Sequence, residues 1–326
     1  MKQTKRILTI ASLTLATAGL GWAQAGSPPP PHPTPDSGFQ FIKVHMYTEE
    51  EDAALLKLYD GLRESDVIDA LDAVGLKEVT MMDQRIRPLW RDEQHMTHRI
   101  HGVAVTVHVV PAQAGEPQFN NEADALKWQG VNGGLPADAG RWQPPADQQI
   151  NNGPRAESGW QMEIHKGSVL VLQDEAKDNG FCGSNNGATM MGQGLVGMVG
   201  DAGVCRDTDE MVLTHIPVYQ DPARSPRGIN QGREWLESYN SPVVVGGVLV
   251  MPGDVIVADY DGVAVVPRAK AVQVARIARW IFEDDEYKRG KIYDKNGWPR
   301  DWTVQGHQTP PSPDGVPIPN DSIPKK

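Results

Sequence analysis

The sequence predicts an α/β protein with a mixed β-sheet in a single domain. Three observations support this: helical segments open and close the central region, strands alternate with helices in its first half, and strands follow one another directly in its second half. A doubly wound sheet would need helices between its strands throughout, so a mixed sheet is the better interpretation. No internal repeat or second linker divides the region.

Residues 49–76 are predicted to form the first two helices, because apolar residues recur there at helical spacing. Ser65 is the predicted N-cap of the second helix, and Gly75 is predicted to end it. The same periodicity predicts a final helix over residues 268–290. Helices are therefore expected at both ends of the domain.

Apolar and β-branched residues mark the strands. Residues 101–110 alternate as a strand does, and shorter glycine-flanked runs at residues 167–174 and 194–201 predict two more. Residues 241–267 predict three consecutive strands. Their turns are placed at the Gly-Gly pair of VVVGGVLV and the Asp-Gly pair of DYDG, since such pairs favour tight hairpins.

The two ends of the chain are predicted to lie outside the main domain. Residues 1–25 have a basic start, an apolar stretch and a small-residue cleavage site. This pattern is typical of a secretory signal peptide, so a periplasmic or secreted protein is expected, an uncleaved anchor being the alternative. A proline-rich linker is predicted at residues 26–45, the main domain at residues 46–300 and a proline-rich tail at residues 301–326.

One internal segment does not fit the pattern of helices and strands. Residues 113–160 are rich in Asn, Gln, Gly and Pro and contain Trp128, Trp142 and Trp160. A long irregular segment inside a compact domain is usually a lid, a binding loop or disordered. The three tryptophans argue against disorder alone, so this segment is interpreted as an insertion.

The charge of the chain excludes several classes of partner. The full sequence carries a net charge of −11, and removal of residues 1–25, which hold three basic and no acidic residues, leaves the remainder near −14. Nucleic-acid affinity comes largely from Lys and Arg neutralising phosphates, and no basic cluster offsets the acidity. Neither a nucleic acid nor an anionic membrane is expected as a partner.

The chain contains two cysteines, Cys182 and Cys205. An even number in an exported protein allows a disulfide. Two buried free thiols are the alternative, and the sequence leaves both open.

The segment from Asn185 to Asp207 predicts a binding site for a small acid. Asn185 and Asn186 precede a predicted helix that starts near Gly187, and a helix N-terminus favours anions. Twenty residues separate Asn185 from Arg206, enough for one short helix and one strand, so the two loops should face each other. Arg206 can hold a carboxylate bidentately, and Asp207 can hold a hard divalent cation.

Several motifs resemble those of the RraA-like family, which includes the class II 4-hydroxy-4-methyl-2-oxoglutarate aldolases. They are SDVIDALDAVGL, RIRPLW, GVAVTV, GLVGMVGDAGVCRD and PVVVGGVLVMPGDVIVADYDGVAVVP. The resemblance covers about residues 55–290, without the insertion. The aldolase motif is Asp, twenty residues, then Arg-Asp, and this chain keeps Arg206 and Asp207 but has Asn185 at the first position.

The resemblance implies a swivelling β/β/α fold assembled as a homotrimer or a hexamer, with the active cleft between subunits. It implies a Mg²⁺ or Mn²⁺ ion held directly by Asp207. It also implies cleavage of 4-hydroxy-2-oxo acids to pyruvate, or decarboxylation of oxaloacetate. The rival interpretation is a non-catalytic module that binds a small acid or another protein.

Site roles follow from the same resemblance. Arg206 and Asp207 are the expected catalytic pair, and Glu283 or Glu286 of a neighbouring subunit is the expected general base. The substrate-binding residues are expected to be Arg206 and the start of the helix, namely Asn185, Asn186, Gly187 and Ala188. Asn185 lacks the charge of the usual aspartate, so weaker metal binding or a different substrate is expected.

Overall fold

Short helices begin the fold and one long helix nearly ends it. The computed structural model describes residues 42–111, 121–124, 159–175, 179–201, 203–224, 228–229, 234–306 and 311. The helices are α1 (Glu49–Leu56), α2 (Glu64–Ala73), α3 (Ser184–Gln193), α4 (Thr208–Leu213) and α5 (Ala271–Asn296). Short 3₁₀ turns lie at Lys57–Tyr59, Gly159–Glu163, Arg268–Lys270 and Trp302–Val304.

Twelve strands are described, and eight of them form one mixed sheet. The strands are β1 (Arg87–Pro88), β2 (Ile100–Pro111), β3 (Ser168–Asp174), β4 (Asn179–Gly180), β5 (Leu195–Gly200), β6 (Val218–Gln220), β7 (Gly228–Ile229), β8 (Glu234–Tyr239), β9 (Val243–Val245), β10 (Val248–Val250), β11 (Val255–Ala258) and β12 (Val263–Val266). The order is β1-β6-β5-β3-β2-β11-β12, with β8 also paired to β2. Strands β2, β3, β5 and β6 are parallel, whereas β1, β8, β11 and β12 pair antiparallel.

The two ends of this sheet approach each other. Met81 forms an antiparallel bridge with Ala264. The amide of Met82 donates to the Val263 carbonyl at 3.0 Å, and the amide of Val265 donates to the Thr80 carbonyl at 2.7 Å. The segment before β1 therefore joins β12, and the sheet is a nearly closed barrel.

Alternation along the strands separates three apolar clusters. On β3, Val169 and Val171 point into the barrel, where the β9–β10 hairpin also lies, whereas Leu170 and Leu172 face outward. The outer cluster around Leu170 includes residues of α3 and α4 and buries Trp160. A second outer cluster joins the barrel to α1, α2 and α5. The α/β class with a mixed sheet is confirmed.

Several sequence predictions about element boundaries are wrong, and the final helix, predicted over residues 268–290, is α5 (Ala271–Asn296). The N-cap of α2 is Arg63, not Ser65, because Asp66 accepts from the Arg63 amide at 3.2 Å and Asp259 accepts from the Glu64 amide at 3.1 Å. Residues 241–267 form four strands rather than three, since a tight turn at residues 251–254 separates β10 from β11. The predicted strands at β2, β3 and β5 are confirmed.

Other predictions fall partly or wholly on residues that are not described. The signal peptide, most of the linker, most of the insertion and most of the tail lie outside the described residues. Residues 301–306 pack on α5, where the Arg289 guanidinium donates to the Thr303 carbonyl at 2.8 Å. In the described part of the chain, every helix is too short or too polar to span a bilayer.

Candidate functional site

The start of α3 lies three residues earlier than the sequence predicted. Gly183 is its N-cap, and the Asn186 side chain accepts from the Gly183 amide at 3.1 Å. The Gly187 amide donates to the Gly183 carbonyl at 3.0 Å, so it is not available for an anion, and Ala188 lies deeper in the helix. The amides without an intrahelical partner are those of the first turn. The expected role of the Gly187 amide is therefore wrong.

Asp207 reaches the start of α3 with its side chain. Its Oδ2 accepts from the Ser184 amide at 3.1 Å, and its Oδ1 lies 3.9 Å from Nε of Arg206. Asp207 is the N-cap of α4 and has left-handed backbone angles, φ 58° and ψ 43°, which aspartate tolerates better than most residues. Both side chains are partly exposed, at 39% for Arg206 and 38% for Asp207.

Backbone hydrogen bonds hold the two loops together. Cys182 and Cys205 form a parallel bridge, in which the Cys182 amide donates to Val204 and the Arg206 amide donates to Cys182, both at 2.9 Å. The loop before Asn185 and the loop at Arg206 therefore face each other, as their spacing in the sequence predicted.

Gly183 leaves room beside the Asp207 carboxylate. A Cβ at this position would lie 2.7 Å from Oδ2 of Asp207, 3.7 Å from Oδ1 of Asn186 and 3.8 Å from Nε of Arg206. These three polar groups thus surround one small space at the start of α3. Any side chain at position 183 would displace the Asp207 carboxylate. The sequence did not predict this role of Gly183.

The side chain of Gln220 holds the backbone of Cys205. Its Oε1 accepts from the Cys205 amide at 3.0 Å, and its Nε2 donates to the Cys205 carbonyl at 3.5 Å. Gln220 ends β6 and is only 2% exposed. The sequence gives one indication of this role, which is that Gln220 is a polar residue at the end of an apolar strand.

The two cysteines are free, buried thiols in this structure. Burial raises the pKa of the Cys205 thiol well above its usual value, and a hydrogen bond with Cys182 adds to this effect. The structure therefore shows the second of the two alternatives left open by the sequence.

Glu283 and Glu286 both lie on α5. Glu286 is 7% exposed and accepts from the Gly306 amide at 3.0 Å, so it holds the segment that follows α5. Glu283 is half-buried on the same helix. Their expected role as a base in a neighbouring subunit stays a prediction.

The oxygen donors at this site suit a hydrated hard cation. Across the described ranges, no group of three or more His, Cys, Asp or Glu side chains is arranged to hold a metal. Asp207 is one carboxylate, and Mg²⁺ is commonly held by one or two carboxylates with waters completing its shell. The site therefore fits Mg²⁺ or Mn²⁺ bound through Asp207 and water, and not a site closed by protein ligands.

A cavity of about 310 Å³ lies elsewhere, and none of the predicted site residues lines it. At its wall, Nε2 of His165 faces the Asp52 carboxylate at 3.1 Å, and Nδ1 faces the Glu163 carbonyl at 2.9 Å. Arg268 also pairs with Asp52 and stacks on Tyr47. Since both ring nitrogens of His165 face acceptors, this group ties α1 to the segment before β3 rather than serving as a free base.

Comparison with known proteins agrees with this architecture. The model of the RraA-like family, described as Aldolase/RraA, matches residues 64–265. A Halalkalibacterium halodurans protein, named as a candidate 4-hydroxy-4-methyl-2-oxoglutarate aldolase, is 32% identical over 101 residues, which cover 31% of this chain and 46% of that protein. The match thus spans less than half of that relative's length.

Two solved structures are similar in fold. RraAS2 of Streptomyces coelicolor, titled an unusual member of the RNase ES inhibitor RraA family, has a TM-score of 0.52 and 21% identity over 76% of this chain and 99% of its own. A second crystal structure, described as one of novel cellulases from microbes associated with the gut ecosystem, has a TM-score of 0.50 and 23% identity. The match covers 76% of this chain and 91% of that chain. At these identities the likeness shows the fold alone.

Proposed function

The chain belongs to the RraA-like family, and we propose that it is a divalent-metal-dependent lyase acting on small 2-oxo acids. One observation carries the proposal: Arg206 and Asp207 lie against the start of α3. A guanidinium group, a carboxylate and the first backbone amides of a helix therefore lie close together. The candidate reactions are cleavage of 4-hydroxy-2-oxo acids to pyruvate and decarboxylation of oxaloacetate. The partial match to a candidate aldolase supports this choice.

Arg206 binds the substrate carboxylate in this proposal. Its guanidinium is partly exposed, and its described ion pair with Asp207 is long at 3.9 Å, so its donors can turn to a ligand. The amides of Asn185 and Asn186, in the first turn of α3, support the same anion. With the carboxylate bound in this way, these donors would lie close to the 2-oxo oxygen, on which negative charge grows as the carbon–carbon bond breaks, and fixed donors at that place lower the barrier.

Asp207 would hold the metal ion. A bound divalent cation supplies Lewis-acid stabilisation of charge on the 2-oxo oxygen. The hydrogen bond from Ser184 fixes one carboxylate oxygen of Asp207 and orients the other. Asn185 adds no second negative charge, so we expect weak metal binding. Asn185→Asp should tighten it.

The general base comes from a neighbouring subunit in this proposal. Glu283 is the better candidate, because Glu286 is buried against Gly306. Decarboxylation of oxaloacetate needs no base at a 4-hydroxyl, so it tolerates an incomplete site better than aldol cleavage does. The assembly should be a homotrimer or a hexamer. A monomer measured by light scattering would contradict an active cleft formed between subunits.

The test is pyruvate release from 4-hydroxy-4-methyl-2-oxoglutarate and from oxaloacetate, with Mg²⁺ and with EDTA. Asp207→Asn keeps an acceptor for Ser184 and suits left-handed backbone, so it removes mainly charge. We expect it to abolish metal-dependent release. Arg206→Lys should keep the dependence of activity on Mg²⁺ but lower kcat/KM. The loss should correspond to about 2–4 kcal/mol of transition-state stabilisation, because lysine cannot bind a carboxylate bidentately.

Asp209→Asn is the matched control, since Asp209 is exposed in the first turn of α4. It should leave both activity and metal response unchanged. If Asp207→Asn retained metal-dependent release, the assignment of this site would be wrong.

A non-catalytic acid-binding member of the family is the second candidate. The observation that favours it is Asn185, an uncharged residue at the position where the aldolase motif has an acid in addition to Asp207. This candidate predicts that oxalate or pyruvate raises the melting temperature without turnover, and that Arg206→Lys weakens the effect.

We place the protein in the periplasm or outside the cell. The pattern of residues 1–25 supports this, and cleavage is expected after Ala25. N-terminal sequencing of the protein isolated from its natural compartment should begin at Gly26. A product that retains Met1 in a membrane fraction would contradict export.

A further inference from the structure

The peptide that joins Cys205 to Arg206 is held at both of its polar ends. Its N–H belongs to Arg206 and donates to the Cys182 carbonyl at 2.9 Å. Its C=O belongs to Cys205 and accepts from Nε2 of Gln220 at 3.5 Å. The orientation of this one peptide plane sets where the Arg206 side chain starts and where Asp207 follows.

Cys205 depends on a side chain for its backbone hydrogen bonds on one side. Residues alternate along a strand, so both polar groups of Cys205 point away from Cys182. Cys205 is fully buried, and Gln220 meets its amide at 3.0 Å as well as its carbonyl. A buried amide or carbonyl without a partner is costly, so Gln220 replaces a missing strand at this point.

The chemistry of a primary amide suits this position. Glutamine offers one acceptor and one donor side by side, which is what the N–H and C=O of a single residue require. An apolar side chain would leave both groups unpaired. An ionised carboxylate would accept from the Cys205 amide but could not donate to its carbonyl.

We propose that Gln220 is a positioning residue for Arg206 and Asp207. The proposal rests on the function assigned to that pair above. Gln220 acts through the Cys205 backbone. Its loss should let the loop turn, so that Asp207 no longer meets the Ser184 amide at the start of α3.

The test uses Gln220→Leu and Gln220→Glu in the full chain. A neutral glutamic acid has an O–H donor and a C=O acceptor, so it can replace the amide, whereas the ionised form cannot. The kcat/KM for pyruvate release by Gln220→Glu should thus approach wild type at low pH. It should fall on the order of tenfold as the buried acid ionises. Gln220→Leu should show the loss at every pH.

Hydrogen exchange of the Ser184 amide gives a readout independent of activity, because Asp207 protects this amide. Relative to wild type at the same pH, protection should fall in Gln220→Leu, and in Gln220→Glu only at high pH. Gln173→Glu is the control, since Gln173 also accepts from a backbone amide, that of Val244 at 2.8 Å. It should leave Ser184 protection unchanged.

The outcomes separate the two proposals. Unchanged Ser184 protection in Gln220→Leu, or a loss in Gln220→Glu that does not depend on pH, would overturn the role of Gln220. Absence of pyruvate release by the wild type, together with pH-dependent protection in Gln220→Glu, would reject the lyase and retain Gln220 as the residue that orients this pair.

Discussion

Glu64 holds a carboxyl group in surroundings that disfavour its charge. Burial first, and then the nearby carboxylates of Asp259 and Asp261, raise its pKa to about 7, although Arg87 opposes the shift. Glu64 is 2% exposed, and its Oε1 has no hydrogen-bond partner among the residues that the structure describes. The folded state therefore binds a proton more tightly than the unfolded state, and stability falls as pH rises from the usual pKa of Glu64 to about 7.

Glu64→Gln should therefore stabilise the protein at pH 8, by about 1–3 kcal/mol, and change little near pH 4.5, where Glu64 keeps its proton in the folded state. Urea unfolding at the two pH values measures the difference. Glu93→Gln, at an exposed position, is the control and should change neither. An equal effect of Glu64→Gln at both pH values would show that the charge is not the cause.

The residues of the site were only partly predictable from the sequence. Arg206 and Asp207 follow a strand and precede a helix, which is a local pattern. Gly183 and Gln220 act through contacts with residues that lie 24 and 15 positions away, Asp207 and Cys205. Such contacts depend on how β6 and α3 are placed by the sheet, and no local periodicity reports them.

Among the elements, the β9–β10 hairpin offers a matched pair of glycines. Gly246 has φ +56°, and a Cβ there would lie 2.7 Å from a methyl of Ile86, 2.8 Å from Cβ of Met82 and 3.0 Å from the Asp83 amide. Gly247 has φ +79° and open space around it. Both substitutions to alanine carry backbone strain, but only one also meets side chains and backbone.

Gly246→Ala should therefore destabilise the protein more than Gly247→Ala. We expect about 1–2 kcal/mol for Gly247→Ala from backbone strain alone, and at least about 2 kcal/mol more for Gly246→Ala because the hairpin must move out of the barrel. Thermal or urea unfolding of the two variants measures this. An equal decrease in the free energy of unfolding for both variants would mean that the hairpin can shift to accept the Cβ of an alanine at position 246 without destabilising the protein.

The elements themselves were largely predictable, because β-branched alternation and glycine turns are local signals. The break between β10 and β11 was missed, since residues 248–257 form one apolar run that is interrupted only by Pro252, Gly253 and Asp254. That break exists because β9 and β10 fill the barrel while β11 joins its wall. The reason lies in the tertiary structure.

For the whole molecule, Glu64, Asp254 and His165 make stability depend on pH in the same direction, whereas His98, whose pKa is lowered chiefly by burial, acts in the opposite direction. The hydrogen bond to Asp52 first, opposed by burial, raises the pKa of His165, whose proton stabilises the fold below pH 6.5. Burial raises the pKa of Asp254 to about 6, and that of Glu64 to about 7. In each case the folded state favours the proton, so stability is lost as pH rises through the folded pKa.

The melting temperature should thus be higher near pH 5.5 than at pH 8. Combining His165→Gln with Glu64→Gln should flatten this dependence, because it removes two groups whose pKa is raised in the folded state. Differential scanning calorimetry across this range measures both. A wild-type melting temperature that rises toward pH 8 would contradict the assignment of these groups.

The seam of the barrel has a consequence for how the chain acquires its structure. Residues 80–82 pair with residues 263–265, and the Tyr59 hydroxyl donates to the Ala271 carbonyl at 2.7 Å. These paired residues are far apart in the sequence, so they are synthesised at different times. Contacts between residues that are far apart in the sequence also form slowly. A nascent chain ending before β11 would present an unpaired edge of β2 and an uncovered apolar face on α2. Folding of the barrel is therefore completed only after β12 and the start of α5 have been synthesised.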